Sequence, residues 1–150
     1  MKKTIKKALS CDNIILNLKS ETKQGVIEEM ISHLKSCGLL RDKEGALKAV
    51  LEREKKMSTG MENGIAIPHG KTDTVDSLIA AVAISRQGVD FECIDGKPAR
   101  IFIMTISPLS QTGPHIQFLA EVSKLLRNPG ARREILNAIK VENVLKVLKR

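Results

Sequence analysis

His69 has the sequence setting of a histidine that can act as a nucleophile. It follows the apolar residues 65–67 and lies between Pro68 and Gly70. Pro68 ends the preceding strand at a defined point, and Gly70 permits a sharp turn and leaves space beside the ring, which predicts an imidazole at the end of a sheet. A neutral imidazole is a good nucleophile at neutral pH. From position alone, a histidine that merely caps a strand by bonding to a nearby carbonyl explains the pattern equally well.

Two further residues could bind an anion near such a nucleophile. His115 follows Gly113 and Pro114, which predict a helix start, where free backbone N–H groups attract anions and favour a neutral ring. Arg53 continues a helical stripe of Ala46, Val50 and Met57, where a guanidinium needs an anion or an exit to water. An exposed histidine at a helix start and an arginine that snorkels over the surface are the alternatives.

Other catalytic sites with recognisable spacing lack support. The third histidine, His33, is expected at the surface or its boundary. The histidines have neither the i, i+4 spacing nor the neighbouring cysteine pairs of a zinc site, so no metal is predicted. The sequence contains neither a G-x-x-x-x-G-K-[ST] phosphate loop nor a G-x-S-x-G nucleophile elbow.

Composition predicts one globular domain, residues 1–150, that is 42% hydrophobic and 28% charged. The net charge of +8 is concentrated near the ends, at Lys2, Lys3, Lys6, Lys7, Lys140, Lys146, Lys149 and Arg150. A solvated surface is the simpler explanation, and a module that binds nucleic acid or a membrane surface is the alternative. No apolar run approaches the ~18 residues of a membrane span and no signal peptide is recognisable, which favours the cytoplasm.

The pattern of apolar residues and caps predicts an α/β sandwich of three layers, with a mixed β-sheet and helices on both faces. Strands are expected at residues 14–18, 65–67, 78–84, 89–91 and 101–106, with the runs 78–84 and 101–106 buried at the centre. Thr22 and Asp42 are predicted to cap the first two helices. A further helix begins at residues 113–114, with Ile116, Leu119, Val122 and Leu126 facing inward, and two short helices end the chain.

These residues resemble the fructose/mannitol-type (type 2) enzyme IIA domain of the bacterial phosphoenolpyruvate-dependent sugar phosphotransferase system. The matching motifs, spread from about residue 10 to the end, are Arg53-Glu54, Ser58-Thr59-Gly60, Asn63-Gly64-Ile65-Ala66-Ile67-Pro68-His69-Gly70-Lys71, Gly88-Val89-Asp90-Phe91, Asp95-Gly96-Lys97-Pro98 and His115. One departure is Glu62, where the family often has a small residue. The same motifs occur in a nitrogen-related regulatory branch.

The resemblance implies a phosphocarrier in which His69 is phosphorylated, on its Nε2 nitrogen. His115 and Arg53 would bind the phosphoryl oxygens, and Thr59 and Gly60 would belong to the adjoining loop. The implied donor is the phosphocarrier protein HPr and the implied acceptor is an enzyme IIB domain, and no cofactor is needed. The oligomeric state stays open, with a homodimer as one alternative.

Overall fold

The structure is a computed structural model that describes residues 7–150. A short 3₁₀ helix at Cys11–Asn13 precedes the first strand. The strands and α-helices that position the site follow in chain order as β1 (Ile14–Ile15), α1 (Lys23–Ser36), α2 (Lys43–Lys56), β2 (Ile65–Ala66), β3 (His69–Lys71), β4 (Ile79–Val89), β5 (Ala99–Ser107), α3 (Thr112–Leu126), α4 (Pro129–Asn137) and α5 (Val141–Leu148).

The strands form one mixed sheet, as predicted. Its order is β1-β4-β5-β2, and the short strand β3 also pairs with β5. The central strands β4 and β5 are antiparallel, with Ala80 opposite Thr105. The outer strands β1, β2 and β3 run parallel to their central neighbours. Residues 67 and 68 separate β2 from β3, so both short strands lie along the same side of β5.

Helices cover both faces of this sheet, which confirms the predicted three layers. Side chains of β5 alternate between the faces, as the pleat of a strand requires. Phe102 and Met104 pack in one core with α1 and α2. Ile101 and Ile103 pack in a second core with α3, α4 and α5. Both central strands are therefore buried on two sides, as their continuous apolar runs predicted.

The predicted helix caps are confirmed. The Thr22 side chain accepts the N–H of Gly25 at 3.1 Å, and the Asp42 carboxylate accepts that of Gly45 at 3.0 Å. Each bond satisfies a backbone donor that has no partner within the helix. Asn128 caps α4 in the same way, with Pro129 as the first helical residue. The Pro129–Gly130 pair therefore begins this helix, where proline needs no N–H partner.

Two strand predictions are wrong. His69 does not follow the last strand residue at a sheet end but is itself the first residue of β3, paired in parallel register with Thr105. Residues 89–91 do not form a separate strand, because β4 continues through a register shift to Val89, which pairs with Ala99. The first strand also comprises only residues 14–15 of the predicted 14–18.

Helix α3 differs from its prediction at two positions. It begins at Thr112, so Pro114 is its third residue, still within the first turn where a missing N–H costs no helical hydrogen bond. Ile116 was expected to face inward but is 60% exposed, and Phe118 is fully buried in its place. The buried stripe therefore includes His115, Phe118, Val122 and Leu126, at spacings of three, four and four residues.

The charged ends agree with a solvated surface as far as the structure describes them. Lys7, Lys140 and Lys146 are exposed, Lys149 is half-buried, and Arg150 pairs with Glu134 at 2.6 Å. Lys2, Lys3 and Lys6 lie outside the described residues. Among residues 7–150, no helix combines the length and the apolar character that crossing a membrane requires.

Gly70 lets the edge strand β3 pack directly on helix α2. A Cβ atom at residue 70 would lie 3.0 Å from the backbone nitrogen of Val50 and 3.1 Å from the carbonyl carbon of Ala49. These are helical backbone atoms, which cannot move aside as a flexible side chain can. This close contact with α2 fixes the position of β3, and with it the backbone of the preceding residue, His69.

We expect Gly70→Ala to lower the free energy of unfolding by about 1–3 kcal/mol, the usual cost of overpacking. Urea denaturation measures the loss. Gly113→Ala is the matched control, because a Cβ atom there meets nothing within 4 Å and alanine is the better helix former. Equal stabilities of the two variants would contradict the packing constraint at residue 70.

Candidate functional site

The ring of His69 is oriented by a hydrogen bond to its own strand connection. Its Nδ1 lies 2.9 Å from the carbonyl oxygen of Ile67, and the ring is half-buried on the α3 side of the sheet. Because a carbonyl oxygen can only accept, Nδ1 carries the proton of the neutral ring. The lone pair of the neutral ring is therefore on Nε2, which is the nucleophilic nitrogen.

His115 lies beside His69 and is buried, with 4% of its surface exposed. The two ring centroids are 5.2 Å apart and the rings meet edge to face at 61°. His115 is the fourth residue of α3, and its Nδ1 is 2.6 Å from the Oγ atom of Ser107 at the end of β5. The alternative of an exposed histidine at a helix start is therefore wrong.

Both imidazoles are held neutral by their surroundings. Burial is the largest cause, and it lowers the pKa of His115 to about 4, with the charges of His69 and Lys71 acting in the same direction. Burial also lowers the pKa of His69, and the positive charges of Arg53 and Lys71 add to this effect. The hydrogen bond to Ile67 and the charge of Glu54 oppose the shift of His69 without reversing it.

Four of the five predicted site residues line one cleft, and the fifth, His115, contacts the ring of one of them, His69. The cleft has a volume of about 210 Å³ and is lined by Arg53, Thr59, Gly60 and His69, among others. His115 adjoins it by its contact with the His69 ring. Residues that are far apart in the sequence, on α2, the loop after it, β3 and α3, thus meet at one edge of the sheet.

Arg53 lies half-buried near the end of α2, where its Nη1 donates to the carbonyl oxygen of Met57 at 2.8 Å. Met57 was placed on the same helical stripe, but it follows the last residue of α2 and is 71% exposed. The bond to Met57 uses one of the five N–H donors of the guanidinium. Among residues 7–150 this is the hydrogen bond found for the Arg53 side chain, so its other donors can bind an anion in the cleft.

A buried carboxylate that was not predicted holds the loop after α2. Glu54 accepts the backbone N–H of Thr59 at 2.7 Å and the Thr59 hydroxyl at 2.5 Å. Lys23, at the start of α1, places its Nζ 2.8 Å from the same carboxylate and 5.0 Å from the centre of the Phe91 ring. A buried charge needs such a partner, and the pairing joins two helices and the loop.

Gly60 is required by the close approach of another loop. A Cβ atom there would lie 2.7 Å from the carbonyl oxygen of Phe91 and 2.9 Å from the Cα of Cys93. The Gly60 N–H donates to the hydroxyl of Ser58 at 3.0 Å. Since the donors of Thr59 are already bound to Glu54, Thr59 and Gly60 shape the wall of the cleft and do not offer free donors to an anion.

The turn that precedes β2 accommodates Glu62. Asn63 and Gly64 adopt left-handed backbone angles, with φ of 64° and 76°, the combination favoured in tight two-residue turns. The Asn63 N–H donates to the Asp95 carboxylate at 3.2 Å. Glu62 itself is exposed, so its size and charge do not enter the cleft.

Lys71 and Ser107 are further site neighbours that were not predicted. Lys71 is two residues beyond His69 on the same strand face, and its Nζ donates to the Thr112 hydroxyl at 3.2 Å, at the start of α3. A signal for Lys71 existed, because alternate residues of a strand share a face. Ser107 is the last residue of the apolar strand β5 and is fully buried. Its sequence signal is the polar pair of Thr105 and Ser107 at alternate positions.

The arrangement suits attack by a neutral nitrogen on an anionic electrophile. Nε2 of His69 carries a lone pair, Arg53 and Lys71 supply positive charge, and the first turn of α3 lies beside the two rings. Cations and helix N-termini stabilise anionic oxygens. In residues 7–150, no group of three or more histidine, cysteine or acidic side chains is placed to hold a metal ion.

Two similar proteins are fructose-specific components of a PTS system. The chain is 38% identical to the fructose-specific EIIA component of Haloferax volcanii over 127 residues, which cover 85% of this chain and 82% of that protein. It is 35% identical over 144 residues to the fructose-specific EIIABC component of Bacillus subtilis. That match covers 96% of this chain but 23% of the Bacillus protein, so the chain corresponds to less than a quarter of that relative.

Solved structures show the same fold. The nitrogen regulatory protein IIA-Ntr of Neisseria meningitidis superposes with a TM-score of 0.90 at 26% identity, covering 96% of this chain and 98% of that one. The mannitol enzyme IIA of Escherichia coli, in its complex with phosphorylated mannitol enzyme IIB, gives a TM-score of 0.78 at 26% identity, covering 93% and 96%.

A family model decides the assignment. The model for the phosphoenolpyruvate-dependent sugar phosphotransferase system, EIIA 2, matches residues 7–150. That match includes every residue of the cleft and both central strands. The chain therefore belongs to the EIIA type 2 family of the phosphotransferase system, the family of phosphocarriers that includes the fructose and mannitol EIIA domains.

Proposed function

We propose that Nε2 of His69 accepts a phosphoryl group from one protein and passes it to another. The observation that carries the proposal is the hydrogen bond from His69 Nδ1 to the Ile67 carbonyl, which directs the lone pair to Nε2. Burial supports it, because it lowers the pKa of His69 and keeps the nucleophile unprotonated.

The reaction needs little beyond positioning and charge stabilisation. The Nε2 lone pair forms a bond to phosphorus while the bond between phosphorus and the donor nitrogen breaks, and the electron pair of that bond returns to the donor ring. Arg53 and His115 would donate hydrogen bonds to the phosphoryl oxygens, and Lys71 would add a positive charge beside them. Phosphoryl transfer depends mainly on such groups, so no metal or nucleotide is required for the exchange.

The donor that fits this chemistry is a phosphohistidine protein of the HPr type, and the acceptor is an enzyme IIB domain. The mannitol relative in complex with its phosphorylated enzyme IIB supports the second partner. We infer sugar uptake of the fructose/mannitol type in the cytoplasm, with residues 1–150 acting as a single domain. The identity to two fructose-specific proteins, 35% and 38%, supports fructose over other sugars.

A regulatory role is the second candidate, because the nitrogen regulatory protein of Neisseria meningitidis superposes over nearly the whole length of both chains. In that case the phosphorylation state of His69 would control binding to another protein. Transfer from the phosphorylated chain to a purified fructose enzyme IIB separates the two functions. Fast and complete transfer supports sugar uptake, and retention of the label on His69 supports regulation.

Replacement of His69 by Ala should abolish labelling. Incubation with phosphoenolpyruvate, enzyme I and HPr should place one acid-labile phosphoryl group on the wild-type chain and none on His69→Ala. The control is His33→Ala, because His33 contacts the Asp12 carbonyl at 2.6 Å on a different element and should not affect labelling. Stable labelling of folded His69→Ala would refute the assignment.

Arg53→Lys and His115→Ala should slow transfer without preventing it. Lysine keeps the charge but lacks the planar pair of donors, and alanine removes the His115 N–H. Loss of one such donor costs a factor of about 100–1,000 in rate. Rapid-quench measurement of both half-reactions gives the effect. Arg41→Lys is the matched control, since Arg41 forms an exposed ion pair with Asp76, and wild-type rates in both site variants would remove their assigned roles.

The low pKa of His115 should appear in the pH dependence of stability. The unfolded chain takes up a proton near pH 6.5, whereas the folded chain resists it until about pH 4. The free energy of unfolding should therefore fall as the pH drops from about 6.5 to 4, by at most about 3 kcal/mol from His115. Urea denaturation of wild type and His115→Gln between pH 4 and 7 tests this, because the variant should lose less stability over that range.

A further inference from the structure

Ser107 is a buried polar residue that the proposed transfer does not use. It is the last residue of β5, has no exposed surface, and its Oγ lies 2.6 Å from Nδ1 of His115. The neighbouring polar residue on the same strand face, Thr105, donates instead to the carbonyl oxygen of Ile79 at 3.2 Å. The two hydroxyls are thus bound to different partners, and that of Ser107 is paired with the ring beside His69.

The direction of the Ser107 hydrogen bond follows from the available partners. If the His115 Nδ1 carried the proton, the hydroxyl would accept it and would need an acceptor for its own O–H. Among the described residues, His115 is the hydroxyl's hydrogen-bond partner and no second acceptor is found. A buried donor without an acceptor is costly, so the hydroxyl donates and Nδ1 accepts.

This direction leaves the proton of the neutral ring on Nε2. The ring stays neutral because it is buried beside Lys71 and the start of α3, where a second positive charge is unfavourable. A neutral imidazole has one N–H. With the proton on Nε2, the ring can donate a hydrogen bond from that nitrogen to an oxygen; with the proton on Nδ1, the Nε2 lone pair would repel the oxygen.

We propose that Ser107 is a positioning residue that holds His115 as the Nε2–H tautomer, so that this N–H can donate to a phosphoryl oxygen on His69. The second half of the proposal rests on the proposed function, and the first half does not. His69 is fixed in the opposite sense by the Ile67 carbonyl, with its proton on Nδ1. The two adjacent rings are therefore held in different tautomers, one a nucleophile and the other a donor.

The tautomers can be measured without any phosphoryl donor. Two-dimensional ¹H–¹⁵N spectra of the imidazole rings at pH 7 should show a protonated Nε2 and an unprotonated Nδ1 for His115, with the reverse for His69. In Ser107→Ala, the His115 signals should shift towards a mixture of tautomers. Ser107→Thr keeps a hydroxyl and should restore the wild-type pattern. A protonated Nδ1 on His115 of the wild-type chain would overturn the proposal.

Rates of phosphoryl transfer test whether the His115 N–H assists the reaction at His69. Ser107→Ala should slow phosphoryl acceptance on His69 about five- to tenfold, the equivalent of one hydrogen bond, and Ser107→Thr should recover most of the rate. Ser85→Ala is the matched control: it removes a buried serine hydroxyl, from β4, that accepts the Gly88 N–H at 3.0 Å. It should change neither the tautomers nor the rate.

The outcomes of the two measurements are distinguishable. Wild-type tautomers and rates in Ser107→Ala would overturn the positioning role. Equal slowing of Ser107→Ala and Ser85→Ala would also overturn it, because a general loss of stability would then explain the effect. Failure of the wild-type chain to accept a phosphoryl group would contradict the proposed function and, with it, the role of the His115 N–H, while the spectra would still decide the tautomer.

Discussion

The hydrogen bond between His69 Nδ1 and the Ile67 carbonyl oxygen determines which nitrogen of the ring can react, and much of the surrounding structure serves to keep it. The bond joins residues 69 and 67 across the two-residue break between β2 and β3. Pro68 suits this position because it has no N–H to satisfy, and its own carbonyl accepts the N–H of Thr105 at 3.2 Å. The contact of Gly70 with helix α2 then fixes β3 in place.

The positive charges around the site disfavour protonation of either imidazole. On the α3 side of the sheet the His115 ring is buried and the His69 ring is half-buried, and the nearby cations belong to residues that are held by other hydrogen bonds. Arg53 is bound to the end of its own helix and Lys71 to the start of α3. Because these cations are already in position, little reorganisation is needed when a negatively charged group arrives. Behind the loop, the Glu54 carboxylate is paired with Lys23, which also binds Glu92.

The sequence predicted the features that depend on local chemistry. Continuous apolar runs indicated β4 and β5, and Thr22 and Asp42 indicated helix starts, because these signals act within a few residues. His69 was proposed from its two neighbours; the structure places its ring at the cleft, and its role stays a prediction. Ile116 was misplaced because apolar residues on α3 fit more than one helical face, and only the packed core selects between them.

Glu54, Lys71 and Ser107 were missed for a different reason. Strand alternation was a signal for Lys71 and Ser107. Each of the three residues nevertheless contributes through a partner that the fold brings near, and no local pattern names that partner. The bonds of Glu54 reach α1, and the bond of Ser107 reaches α3. The two interpretations of His69 also prove compatible. The bond to a nearby carbonyl, which was the alternative to a functional role, is present, and it leaves the lone pair on Nε2, the nitrogen of the proposed function.

The half-buried position of His69 at the edge of the sheet has a consequence for how long a phosphorylated state can last. A phosphoryl group on Nε2 would lie in the cleft that Arg53, Thr59, Gly60 and His69 line, and the half-exposed ring leaves this position accessible to a partner protein. Water can use the same route. The phosphorus–nitrogen bond would therefore be used for transfer only when the acceptor binds faster than water hydrolyses the bond. The concentration of acceptor would then determine the fraction of phosphoryl groups that are lost to hydrolysis.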